Sequence, residues 1–570
     1  MSIFDKFRAL KLSVDRTYRR IKGGVYSGMT SMSGFTSLVP QRLVIEPHDL
    51  HTADPLIAQE FYNGHYALGN AIIETNGKTP FSIVSNNDDW DKELHSFTWL
   101  RHFSANKDTL SDSHARSLVK EWIELKPDQA SKYAWDIEIT SKRLISVLCH
   151  SIVILSKPDH EFHHQLMLSL GKHVKILRRL IANAPEGMPV LYGHIALTYA
   201  SICFSGNSSS LNTHRDRLAQ ALKRQILADG GHISRNPAVI PQILALLLPL
   251  KEGFAAIEAA PPKELITAIE RLLPALKFFR HGDGTLARFN GVGVTEKALI
   301  TTLLRYDESL GEPVHDAVHS GYQRSHIGNA LLVVDTGEPP KGELSLEANG
   351  GALSFEFSNG LSCLIVNCGQ PKIHNETTSQ VWRTTNAHST VTINDVSTVR
   401  FENPGASGRA ISGQVFSRNL DLEYSREDSP TATTITAAHN GYVKELGIRH
   451  QRSLTLDNDG NRLFGQEWFS GPNKSDMRYT TKDKVALRFH LHPDIKASLS
   501  ANGETCLLET REGEQWRFDC PGFQVELTES IFFASLPAPK STWQIVINTK
   551  AYDNPEINWA LQKIQAKQAT

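Results

Sequence analysis

Four polar clusters in this 570-residue chain combine residue types that can do chemistry. In Asp229-Gly230-Gly231-His232-Ile233-Ser234-Arg235-Asn236-Pro237 an imidazole can exchange protons near neutral pH, and a guanidinium can hold a carboxylate through two parallel hydrogen bonds. Arg280-His281-Gly282-Asp283-Gly284 repeats the Arg and His pair on a glycine-rich loop. Glu347-Ala348-Asn349-Gly350-Gly351 offers a carboxylate that becomes a base only where burial lifts its pKa. Arg383-Thr384-Thr385-Asn386-Ala387-His388-Ser389 sets a histidine at the head of an alternating strand. Together these types suit proton transfer and the gripping of an acidic ligand. Each also has a plainer reading: Ser234 or Asn236 caps the next helix, Arg280 binds helix-end carbonyls, Glu347 is solvated, and His388 is a satisfied inner-face histidine. His490 and His492 share one strand face without a carboxylate nearby in sequence and read as structural, as do His439, Tyr442 and His450 around the Asn440-Gly441 turn.

The elements that must position these clusters fall into two regimes. From about residue 50 to 320, SKRLISVLCHSIVILS, HHQLMLSLGKHVKILRRLIANA, HIALTYASICF and HRDRLAQALKRQILADGG place apolar residues at i, i+3, i+4 and i+7, with Gly or Pro at helix-length intervals. Several are apolar over most of their circumference and so need neighbours on more than one side, as in a ring or double layer of helical hairpins. Near Gly321 the period becomes two, in ALLVVDTGEPP, GALSFEFSNGLSCLIVNCG, RSLTLDNDGNRLFGQEW and VALRFHLHP, with hairpin turns between strands. The division expected is a basic N-terminal helix and linker over 1–48, a helical domain over 49–320 and an antiparallel β-sandwich over 321–570.

Composition narrows the function classes. Sixty Lys plus Arg balance 61 Asp plus Glu, a net charge of -1 without the single-sign field of a nucleic-acid binder. Hydrophobic residues at 40% and charged residues at 21% fit a folded globular chain. The six cysteines form no CxxC pair, so neither a zinc knuckle nor a disulfide framework is expected. No stretch reaches the ~20 apolar residues of a membrane span, and MSIFDKFRALKLSVDRTYRRIKGG lacks a signal-peptide core. The chain therefore reads as cytoplasmic, with a periplasmic or envelope-associated placement as the alternative. Phe4, Phe7, Leu10 and Leu12 among basic residues give the first helix a face that either docks on the body or rests on an anionic surface.

The runs Ser354-Phe355-Glu356-Phe357, Val366-Asn367-Cys368-Gly369 and Arg383-Thr384-Thr385-Asn386-Ala387-His388-Ser389-Thr390-Val391 resemble, in order and spacing, the heparinase II/III-like family of polysaccharide lyases. The sequences DGGHISRNP and HNGYVKELGIRHQRSLTL extend the resemblance over most of the chain. It implies an incomplete α/α toroid followed by an antiparallel β-sandwich, and β-elimination on an acidic, uronate-containing polysaccharide of glycosaminoglycan type. Such a carbon–oxygen lyase must neutralise the uronate carboxylate, take the C5 proton and protonate the departing oxygen.

Carried over residue by residue, the resemblance makes His388, Glu347 and His194 candidate catalytic residues, and the proton-exchanging and carboxylate-gripping chemistry of His232 and Arg235 at the helix break adds that pair. Arg280, His281, Arg383 and Asn386 become candidate substrate-binding residues. The family's metal set falls on Asn349, Asn367 and His388. The departures are that Val239 stands where the family has a tyrosine, Glu347 where it has a histidine, Asn349 at a metal histidine, and Gly351 and Asn367 at aspartates. One neutral imidazole and two amides are a poor zinc set, so the metal site is expected to be degenerate and empty, its groups bonding to one another with His388 donating to an amide oxygen. No cofactor is expected beyond the divalent cation the family implies. Two functions follow: an active lyase, or a catalytically degenerate carbohydrate-binding or structural protein on the same scaffold. The further expectation is that DGGHISRNP and NAHST face one another across a cationic cleft.

Overall fold

A computed structural model describes residues 39–564 apart from 107, 126–130, 207, 308–312, 373–379, 402–412, 416–419 and 478–482. The N-terminal segment bearing Phe4, Phe7, Leu10 and Leu12 lies outside the described residues. Those described divide into two compact units, one drawn from Met1–Ile226, Pro241–Glu270 and Ala298–Glu308, the other from Leu227–Ile240, Arg271–Lys297 and Ser309–Thr570. This differs from a single cut at 320: the polar breaks 227–240 and 271–297 belong with the strands.

The first unit is helical because its sequence both starts helices and gives them faces to bury. Asp54, Asn87, Asp108, Asp136 and Asp159 each accept a backbone N–H from the first turn of the helix that follows. Met188–Cys203 is apolar almost all round and packs on Ile137–Cys149 and Ser208–Gln225. His160–Ile181 instead has one buried stripe and a basic outer face. Gly193 is required where it stands, since a Cβ there would come within 2.4 Å of the Ile181 side chain. A two-stranded hairpin, His65–Leu68 with Ala71–Glu74, interrupts the helices and was not expected from the sequence. Val239–Ala256 is long and apolar enough to cross a membrane by length and composition, and most of it is buried within the protein.

The second unit is an antiparallel sandwich of an eight- and a nine-stranded sheet. In one, the order runs Glu526–Phe532, Lys540–Lys550, Lys484–Leu491, Ser362–Val366, Phe355–Asn359, Ala330–Asp335, Tyr322–Ile327, Asp316–Ala317, with Val391–Ile393 pairing beside Lys484–Leu491. The other runs Lys496–Leu499, Thr505–Glu509, Gln515–Asp519, Glu556–Lys563, Arg462–Ser470, Arg449–Asp457, Ala432–His439, Glu423–Asp428. Between them Trp559 stacks on Phe355 at 5.7 Å and on Phe518 at 5.9 Å. Trp559 lies in register with Gly465, where a Cβ would meet the indole at 2.0 Å. His439, Tyr442 and His450 are wholly buried: Tyr442 donates to the Val391 carbonyl at 2.8 Å, and His450 bonds Glu467 at 2.7 Å.

Candidate functional site

All four polar clusters lie in the sandwich unit, and one hydrogen-bonded chain links three of them. Arg235, in a left-handed conformation at φ 57°, spends all five guanidinium donors. They go to Ser320 O (2.6 Å), Gly321 O (2.9 Å), Gly337 O and Glu338 O (3.0 Å each) and Asp335 Oδ1 (2.5 Å). Its plane lies 4.6 Å from the Tyr322 ring centroid, and the Tyr322 hydroxyl donates to Arg235 O at 2.7 Å. Asn290 Nδ2 donates to that hydroxyl at 2.6 Å and to Asp335 Oδ2 at 3.3 Å, and Asn290 Oδ1 accepts from Asn349 N at 3.1 Å. Asn349 Nδ2 in turn reaches His388 Nε2 at 2.9 Å, and His388 Nδ1 donates to Thr384 O at 2.8 Å.

This geometry corrects several expectations. Arg235 is not a carboxylate gripper for a ligand, because every donor is used inside the protein. His388 does not donate to an amide oxygen: its Nδ1 proton goes to a backbone carbonyl, so Nε2 accepts from Asn349. Asn367 joins neither, its Oδ1 accepting from Ser389 N at 2.9 Å while its own N–H donates to Glu356. Burial holds the His388 pKa down to about 4, so the ring is neutral at physiological pH. The expected excess of cations is absent here too, since Arg235 pairs with Asp335 and Arg288 with Glu356.

His232 is 1% exposed, and its Nδ1 accepts from Ser234 N at 3.1 Å and meets Ser234 Oγ at 2.8 Å, with burial pushing its pKa to about 4. Asn236 accepts from Ala238 N at 2.8 Å just ahead of the helix at Val239, the capping role, and donates Nδ2 to Glu347 at 2.8 Å. Glu347 is exposed, so burial does not turn it into a general base. Val239, 4% exposed, carries no group to move a proton. Gly291, at φ 101°, lets Asn236 and Glu347 meet, since a Cβ there would stand 2.7 and 2.9 Å from them.

The expected substrate-binding residues are mostly structural. His281 is buried between Glu356 (2.9 Å) and Ser358 (2.8 Å), and Arg288 joins the same carboxylate at 3.1 Å. Burial opposes the charge on Glu356, but Arg288 and His281 prevail and hold it below the usual carboxylate range. Arg383, 2% exposed, donates to Ala348 O, Gly413 O and Ser345 O and stacks on Phe401, and burial lowers its pKa to about 10. Asn386 is half-buried, and its carbonyl meets His490 Nε2 at 2.9 Å. Arg280 is half-buried with Nε lacking a partner. His194 belongs to the helical unit, where it lies half-buried beside Arg217 and Arg224. Asp335, Asn290 and Arg288, which help to organise the network, were not picked out individually from sequence, and Glu356 stood out only as part of the Ser354-Phe355-Glu356-Phe357 run, without a role. For Arg288 and Asn290 the available signal was their position in the polar break that ends at Gly291.

The family's metal does not fit these residues. Asn349 Oδ1 is buried without a partner and could face a cation, but His388 Nε2 is already capped and Asn367 Oδ1 is occupied. No carboxylate completes the set, and among the described residues no group of three His, Cys, Asp or Glu side chains is arranged to hold a metal ion.

Residues 310–560 match the sequence model of the family described as heparinase II/III-like, C-terminal. The chain is 28% identical over 538 residues to the FtsZ-localized protein C of Caulobacter vibrioides, covering 92% of this chain and 91% of that one. A crystal structure of heparinase III superposes with a TM-score of 0.72 at 12% identity, over 94% of this chain and 89% of that one. A mutant of a heparan sulfate lyase from Pedobacter heparinus does so with a TM-score of 0.64 at 14% identity, over 92% and 87%. These likenesses show the fold, an α/α toroid with an antiparallel β-sandwich.

Proposed function

We propose that this member of the heparinase II/III-like family is a catalytically degenerate structural protein that works alongside the cell-division machinery rather than an eliminating lyase. The observation that carries the reading is the capped His388. The one metal-site histidine kept from the family pattern is neutral and bonded at both nitrogens, and Val239, Asn349, Gly351 and Asn367 stand where proton-transfer or metal-binding groups would be needed. β-Elimination needs a base, an acid and a neutralised carboxylate at one place. Here three of the arginines around these residues, Arg235, Arg288 and Arg383, are spent on internal acceptors.

A relative of almost equal length named for localisation with FtsZ supports the division context. The reading implies a cytoplasmic placement, and the basic N-terminal residues with Phe4, Phe7, Leu10 and Leu12 suit attachment to an anionic membrane surface. A fluorescent fusion to the full chain, followed in its native cells, tests the reading. Accumulation at the division plane, unchanged in His388→Asn, is expected. Uniform distribution through the cell, or exclusive export from it, would overturn the reading.

A further inference from the structure

The helical unit carries a cationic patch that the reading above does not use. Two basic helices flank Met188–Cys203. His160–Ile181 brings Arg178 and Arg179, and Ser208–Gln225 brings Arg215, Arg217, Lys223 and Arg224. Arg178, Arg217 and Arg224 are exposed, and beneath them sit half-buried His194 and buried His214. Arg178 donates to His214 Nε2 from Nη2 at 2.8 Å and from Nε at 3.3 Å. With Nε2 an acceptor, the ring proton of His214 is on Nδ1, and that atom is buried with no partner. His194 Nδ1 and Arg179 Nη1 are likewise buried and without a partner.

We propose that this patch is an oxyanion site that takes a phosphate group, held by Arg178, Arg217 and Arg224 over the imidazoles of His194 and His214. A buried N–H donor without an acceptor is costly, and a ligand oxygen supplies the acceptor that the protein does not. Charge balance points the same way. Of the nearby carboxylates, Glu186 bonds Arg224 and Asp216 pairs with Arg215, while no carboxylate among the described residues pairs with Arg178 or Arg217. Three guanidiniums against Glu186 leave two positive charges, the complement of a dianionic phosphate, and planar guanidinium forks match its oxygens. The mutual repulsion appears in the rings themselves. Burial first, and then the neighbouring arginines, hold both His194 and His214 down to about 4, and burial and then Arg217 lower Arg178. An anion bound there offsets the repulsion among the three arginines.

Inorganic phosphate titrated into the full-length protein by calorimetry, against chloride at equal ionic strength, tests the site. Saturable binding near one equivalent is expected, weakened about tenfold or more by Arg217→Ala, which removes one charged donor. Arg217 is exposed and unpaired, so the melting temperature of the free protein should not move. If that variant misfolds, Arg217→Gln carries the same expectation. Absence of saturable phosphate binding, or equal binding by the variant, would overturn the proposal. A lipid phosphodiester presents the same phosphoryl oxygens as a free phosphate, with one negative charge instead of two. Weaker binding of Arg217→Ala to phosphatidylglycerol vesicles would identify a lipid as the source, and unchanged vesicle binding alongside lost phosphate binding would identify a soluble phosphate ester. Neither outcome depends on whether the protein gathers at the division plane.

Discussion

Replacing Arg235 by alanine removes five hydrogen bonds and the partner of a buried carboxylate in one step. Asp335 is 4% exposed, and stranding its charge costs about 3–5 kcal/mol on the precedent of broken buried pairs. Four backbone carbonyls, from Ser320, Gly321, Gly337 and Glu338, lose a charged donor, at about 1–3 kcal/mol for each left unmet. Water entering the vacated space recovers part of this and the terms do not add, so the net loss is on the order of 5 kcal/mol. That is a large share of the roughly 5–15 kcal/mol that holds a domain together. At about 2–4 °C per kcal/mol in domains of 150–250 residues, the melting temperature of the sandwich should fall by roughly 10 °C or more. Urea denaturation followed by tryptophan fluorescence at pH 7 reads the loss, since Trp516 and Trp559 lie in the sandwich core. Arg235→Lys should restore less than half of it, because an ammonium has three donors and no planar fork. A melting temperature for Arg235→Ala within about 2 °C of the parent would refute the reasoning and return Arg235 to the list of ligand-facing residues.

Other outcomes follow from the same geometry. Gly337→Ala would place a Cβ 2.4 Å from Arg235 Nη2, so it should destabilise as Arg235→Ala does, and the double variant should be little worse than either single one in a double-mutant cycle. The folded-state pKa values of His388 and His232, about 4, and of His490, about 3, lie below the unfolded value of about 6.5. Unfolding therefore takes up protons below that value. The stability these rings contribute is fully present above about pH 6.5 and is lost as the pH falls toward 4, a decline that urea midpoints at pH 7, 5.5 and 4.5 should show and that His388→Asn should flatten by up to one proton. Chelator treatment or added zinc should leave the melting temperature unchanged, because the amide and imidazole donors at Asn349, Asn367 and His388 are neutral and mostly occupied; a zinc-dependent rise of several degrees would contradict this.

The architecture was legible because two periodicities meet near Gly321 and because the turns carry their glycines, as at Gly360 and Gly460, both left-handed. Three of the segments singled out from sequence are joined by hydrogen bonds, DGGHISRNP to EANGG through Asn236 and Glu347, and EANGG to NAHST through Asn349 and His388. Their roles were not. Arg235 looks like a ligand-binding arginine because the atoms that consume its donors are backbone oxygens 85 to 103 residues away, which no side-chain pattern announces. The glycines at 321 and 337 were the trace of that contact, since each leaves room for the guanidinium. His388 misled differently. The direction of its hydrogen bond depends on Thr384 O, a backbone atom four residues away whose orientation is set by the local 3-10 turn. The linear cut at 320 failed because polar breaks between helices can belong to a neighbouring layer, and helical periodicity does not record which.

The central claim, that this scaffold no longer eliminates, is tested most directly by following ultraviolet absorbance of unsaturated uronate ends while the full-length protein at micromolar concentration is incubated with heparan sulfate, chondroitin sulfate, hyaluronan and alginate. No rise above the buffer blank is predicted for any of them. A rise proportional to protein concentration, abolished by His388→Ala in a protein that still folds, would contradict it.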